Sequence, residues 1–126
     1  MRPVNRIVIV ALLLGLSAAP AAAAPALEPL VRGWEQFFKL SWEASARRGE
    51  PVVSGYIANE SGFTAARIRL LVEGLDPSGQ VVSQRLGWVA HPVAPSTRTY
   101  FEVPVGSSAP SYRVSVFAFD WLLGRD

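Results

Sequence analysis

The alternation of apolar and polar positions changes period once along this chain. From Leu27 to Phe38 the apolar residues Leu27, Leu30, Val31, Trp34, Phe37 and Phe38 recur at i, i+3, i+4 and i+7, the spacing of an amphipathic helix. Pro29 is tolerated in a first turn, whereas Gly33 costs a helix about 1 kcal/mol against Ala, so the spacing predicts a short helix. From Phe38 the period becomes two. Phe38, Leu40, Trp42 and Ala44 fall on one side and Lys39, Ser41, Glu43 and Ser45 on the other, which predicts a half-buried strand closed by a turn at Arg47-Arg48-Gly49-Glu50.

Two further strands follow, Val52 to Ala58 and Thr64 to Leu75, separated by Asn59-Glu60-Ser61-Gly62-Phe63. Gly55, in the middle of the first, marks a place where another backbone or a bulky ring comes close, and a tryptophan ring is the natural occupant. In the second, Ala66, Ile68, Leu70 and Val72 read as inward and Arg67, Arg69 and Glu73 as outward. Asp76-Pro77-Ser78-Gly79 has the chemistry of a turn and joins this strand to Gln80 through Val89 as a hairpin. The prolines of His91-Pro92-Val93-Ala94-Pro95-Ser96-Thr97 exclude a central strand there. Tyr100 to Val105 and Tyr112 to Phe119 complete the pattern. Six strands at turn spacings of about ten residues, with no helix between them, predict an all-β, immunoglobulin-like antiparallel β-sandwich of six to seven strands.

The order of these pieces resembles a known family. Ser54-Gly55-Tyr56-Ile57-Ala58-Asn59, Arg67 through Leu75, Asp76-Pro77-Ser78-Gly79-Gln80-Val81-Val82, Phe101-Glu102-Val103-Pro104 and Tyr112-Arg113-Val114-Ser115-Val116 are similar to the FxLYD-like domains. The resemblance covers Val52 to Trp121 and rests on order and spacing, since the short motif that gives the family its name is not spelled out. It implies an immunoglobulin- or fibronectin-like sandwich in an exported bacterial protein, acting as an interaction or accessory module with no common catalytic residues.

Composition adds a compartment. Arg2 and Arg6, the apolar run Ile7 to Leu16 and the small residues ending in Ala22-Ala23-Ala24 are the three regions of a secretory signal peptide over residues 1–24. Residues 25–37 then form a linker with the short helix, and 38–126 the sandwich, in a periplasmic or secreted protein with no stable membrane span after cleavage. The formal charge of +2 reflects 12 Lys+Arg against 10 Asp+Glu. Removing Arg2 and Arg6 balances it, leaving no basic footprint for nucleic acid or anionic lipid. The chain has no cysteine, so the fold must stand on its core.

No group is placed for chemistry. His91 is the sole histidine, too little for a structural zinc site without Cys, and no serine sits in a nucleophile elbow. Glu73, Asp76, Glu102 and Asp120 are the carboxylates a small hydrolase would need in pairs. Glu73 and Glu102 read as solvated and Asp76 as a turn residue. Asn59-Glu60-Ser61 matches a glycosylation sequon, although the turn role of Asn59 is sufficient.

Four tryptophans remain as ligand-contact candidates. Trp42 and Trp88 share parity with apolar neighbours and read as core, while Trp34, Phe37 and Phe38 read as a cover over an open end. The residues left for partner contact are Trp34, Trp88, His91 and Trp121. These observations point to a non-enzymatic module without cofactors that binds another envelope protein or plays a structural role. A carbohydrate-binding module using exposed, coplanar tryptophans is the first alternative and a small hydrolase the second.

Overall fold

The computed structural model describes residues 26–123. The signal-peptide reading of residues 1–24 lies outside them. Six strands follow in chain order: β1 (Phe38–Arg47), β2 (Glu50–Asn59), β3 (Thr64–Leu75), β4 (Val81–Trp88), β5 (Arg98–Pro104) and β6 (Ser111–Leu122). They form two antiparallel sheets of three strands, sheet A in the order β1-β2-β5 and sheet B in the order β4-β3-β6. β1 faces β6, β2 faces β3 and β5 faces β4 across the interior. This is the all-β sandwich that the period-two pattern predicts. The order corresponds to strands A-B-E opposite C′-C-F of the immunoglobulin arrangement, with no strand in the G position among the described residues.

Period-two alternation builds the core. Val53 and Ile57 of β2, Phe101 and Val103 of β5, Ile68, Leu70 and Val72 of β3, and Val114 and Val116 of β6 form one buried cluster. Each such side chain contributes roughly 1.5–3 kcal/mol on full burial, which a domain without disulfides requires. Gly55 admits the backbone of β1, because a Cβ there would lie 1.8 Å from the Ser41 carbonyl oxygen and 2.7 Å from the Trp42 Cα. The close approach is real, but a backbone and not a tryptophan ring makes it.

Two bulges reset the alternation in sheet B. Between the pairs Ala66↔Asp120 and Arg69↔Ala118, β3 advances by one residue more than β6, and Arg67 takes φ 50. Between Arg69↔Ala118 and Leu70↔Val116 the extra residue, Phe117, belongs to β6. Before its bulge β3 therefore turns Ala65 inward in place of Ala66, and on β6 the inward set passes from Val114 and Val116 to Phe119 and Trp121. Ala66, which the period-two reading places in the core, is buried at 4% but outside the main cluster, and a reading without a bulge misses this switch.

The N-terminal segment departs furthest from expectation. Only a 3-10 turn, Trp34–Gln36, forms where the spacing predicts an amphipathic helix. Gly33 adopts φ 82, which ends any helix there, and tethers hold the preceding residues along sheet B. The Gln84 side-chain amide accepts from the Leu27 N–H and donates to the Leu27 carbonyl, both at 3.0 Å. The Leu30 N–H donates to the Phe117 carbonyl at 2.8 Å. The segment thus crosses the outer face of sheet B from β4 to β6, over β3. Outward-facing Leu71 is fully buried for this reason, and Glu73, which sequence parity reads as solvated, is 7% exposed.

Candidate functional site

The margin of sheet B along β4 exposes Val81, Val82, Leu86 and Trp88. Its orientation is set by Gly87, which turns inward beside Leu70, and a Cβ there would sit 2.5 Å from Val103 Cγ2 of the facing sheet. Arg85 shares that inward parity, and its guanidinium reaches the backbone of Gly106. Leu86 and Trp88 consequently point out, opposite Leu71 and Arg69 of β3. Trp88 is 62% exposed, and Val81, Val82 and Leu86 are exposed beside it. The parity shared by Trp88 and Leu86 is correct, but their face is the outer one, so the core assignment of Trp88 is overturned. Beneath the indole, the Arg69 guanidinium lies between two rings, 5.3 Å from that of Trp88 and 5.1 Å from that of Phe117. Cation–π attraction steadies an exposed ring in this way.

Trp88 and His91 come together. They line one open, mainly apolar depression of ≈ 580 Å³ with Arg67, Val89, Pro92 and Leu122. The other two sequence candidates lie elsewhere. Trp121 packs among Phe37, Phe38 and Phe119, stacked on Phe38 at 6.0 Å and edge-on to Phe119 at 4.8 Å. Trp34 packs against the same core, so the aromatic start of the domain does cover one end of the sandwich. Trp42 is 38% exposed and not in the core, and its indole N–H donates across the gap between sheets to the Tyr112 carbonyl at 3.1 Å. Trp42 and Trp88 therefore stand on opposite margins, one on the β1/β6 side and the other on the β4/β5 side.

Each carboxylate considered for chemistry has a structural partner. Glu73 accepts from Arg113 at 2.9 Å and from Gln84 at 2.8 Å, extending the tether of Leu27 across all three strands of sheet B. Asp120 accepts from Arg67 at 2.6 Å, which holds the bulge residue in place. Asp76 accepts from the hydroxyl of Ser78 at 2.7 Å and the backbone N–H groups of Ser78 and Gln80 at 2.9 Å, closing the turn the sequence predicts. These bonds, the Ser78 hydroxyl first, hold its carboxyl below the ordinary range. Glu102 is likewise lowered, chiefly by hydrogen bonding to Arg47, whose own pKa the pair raises. Among the described residues no three His, Cys, Asp or Glu side chains gather as a metal site would need.

Two features escaped sequence reasoning. Tyr56 and Tyr100 meet edge to face at 5.6 Å on the outer face of sheet A, with the Arg98 guanidinium 4.1 Å from the Tyr56 ring centroid. Their shared outward parity was the available signal. Asn59 is 1% exposed and joins three segments. Its amide donates to the carbonyls of Phe63 at 2.7 Å and Val93 at 2.8 Å, and its oxygen accepts from the backbone and hydroxyl of Ser61. An amide so enclosed has no room for a glycan, which removes the sequon reading. No protein-family model, curated protein or solved structure matches the chain.

Proposed function

We propose that this chain is a non-catalytic, exported β-sandwich module of the bacterial cell envelope, FxLYD-like in character, that works by docking another protein. The observation that carries the reading is Trp88. A large ring stands mostly in solvent at a sheet margin, held by Arg69, flanked by exposed Leu86 and by the apolar depression at His91. Tryptophan is one of the residues enriched among interface hot spots, and burying such a ring on a partner supplies much of a binding free energy. The carboxylates support the same reading, because ion pairs and a turn account for all four considered.

The tryptophan arrangement does not favour the carbohydrate reading, which needs two rings on one platform. Trp88 has no exposed tryptophan beside it, since Trp42 occupies the far margin and Trp34 and Trp121 pack on the core. A photo-crosslinking residue placed at Trp88 in cells, with Tyr56 as the control position, tests the proposal. Position 88 should yield a discrete protein adduct and position 56 none. Adducts of equal yield from both positions, or none from 88, would refute docking at this margin.

A further inference from the structure

The four sheet edges are not equally open. On β6 the outward carbonyls of Tyr112 and Phe117 are taken by the Trp42 indole and the Leu30 N–H. β1 carries the charges of Lys39, Glu43 and Arg47, and β5 those of Arg98 and Glu102 before ending at Pro104, which has no N–H to donate. Charges and prolines at edges oppose pairing with another chain. β4 contains no proline and one charge, Arg85, and exposes Val81, Val82, Leu86 and Trp88. Its margin is the natural place for strand addition.

We propose that the protein docking at this margin is a second copy of the chain, added antiparallel along β4 about a two-fold axis at Leu86. The inference rests on the docking reading above. A two-fold axis perpendicular to the sheet joins identical patches and pairs residues of the same face, so the axis must pass through a residue of β4. An axis at Arg85 sets two guanidinium groups directly opposite, which is unfavourable. An axis at Gln84 requires Val82 to pair with Leu86 of the other copy. Val82 is a bulge residue of β4, skipped between the pairs Gly74↔Ser83 and Leu75↔Val81, where the regular ladder is interrupted. The axes at Leu86 and Gly87 use only regular residues, and the one at Leu86 brings the longer run into register, Gln84 to Trp88 against Leu86 to Trp88. Leu86 then meets Leu86, Gln84 meets Trp88, and Arg85 meets Gly87, where there is no side chain to obstruct it. Like charges are apart, and the most exposed apolar side chains of β4's regular stretch are covered.

The chain has no cysteine, so introduced thiols report the register without background. Directly opposed residues of antiparallel strands lie within the Cα separation a disulfide spans. Leu86→Cys should oxidise to a covalent dimer by itself. Gln84→Cys and Trp88→Cys should cross-link when mixed and not separately. In sedimentation the unmodified protein should have twice the chain mass at micromolar concentration. Leu86→Lys should be monomeric with an unchanged far-UV spectrum and cooperative melt, which separates lost pairing from lost folding. A monomeric unmodified protein, a dimeric Leu86→Lys, or self-linking of Gln84→Cys overturns the inference. The adduct at position 88 separates it from its premise. An adduct of twice the chain mass fits both, an adduct with a different protein sinks the second copy alone, and no adduct sinks both.

Discussion

At the scale of single residues, Asn59 shows how far a local signal reaches. Its place between a strand and a Gly-containing break marks it as a turn residue, and its bond to Ser61 is of that kind. Its contact with Val93 spans 34 positions, and no local pattern encodes it. Replacing Asn59 by Asp keeps the shape but aims a carboxylate oxygen at the carbonyls of Phe63 and Val93, whereas Ala removes one donor from each and leaves them to the Ser61 hydroxyl and the Ala65 N–H. In urea denaturation Ala should lower stability by about 1–3 kcal/mol and Asp by more than Ala at neutral pH. Trp88 illustrates the same limit, since its parity with Leu86 is legible in the sequence. Which face is inner depends on Val103 of the other sheet filling the space above Gly87.

At the scale of elements, the turns and alternations were legible because their causes are local. Thr64 to Leu75 forms one strand with the bounds the pattern gives, and Asp76-Pro77-Ser78-Gly79 closes as its residue types require. Bulges are not encoded this way, and they turn Ala65 into the main cluster beside a still-buried Ala66 and bring Phe119 and Trp121 toward it. The two crowded glycines separate backbone from side-chain approach. Gly55→Ala meets the main chain of β1 and Gly87→Ala meets the methyl groups of Val103. Both should destabilise by about 1–3 kcal/mol or more. Adding Val103→Ala should return part of the stability to Gly87→Ala and none to Gly55→Ala, as a double-mutant cycle from thermal or urea melts would read.

At the scale of the whole molecule, the six strands and their sandwich followed from periodicity, while the path of residues 27–33 did not. An apolar spacing suited to a helix is also suited to an extended segment laid over a sheet. The choice was made by Gln84 and Phe117, far along the chain, which bind the backbone of Leu27 and Leu30. That crossing gives sheet B an interior on both sides at Leu71. It also stops β6 from accepting a strand, a task it shares with the indole of Trp42. If two copies pair along β4 as proposed, the other edges set the valence of the particle. With one open margin among the described residues, assembly would terminate at a pair and would not propagate into a filament. Trp42→Phe keeps a ring but frees the Tyr112 carbonyl and leaves the Leu30 bond in place, so on the proposed pairing sedimentation at rising concentration should pass two copies more readily than for the unmodified protein. On that reading, a tryptophan that sequence parity assigns to the core serves to limit assembly.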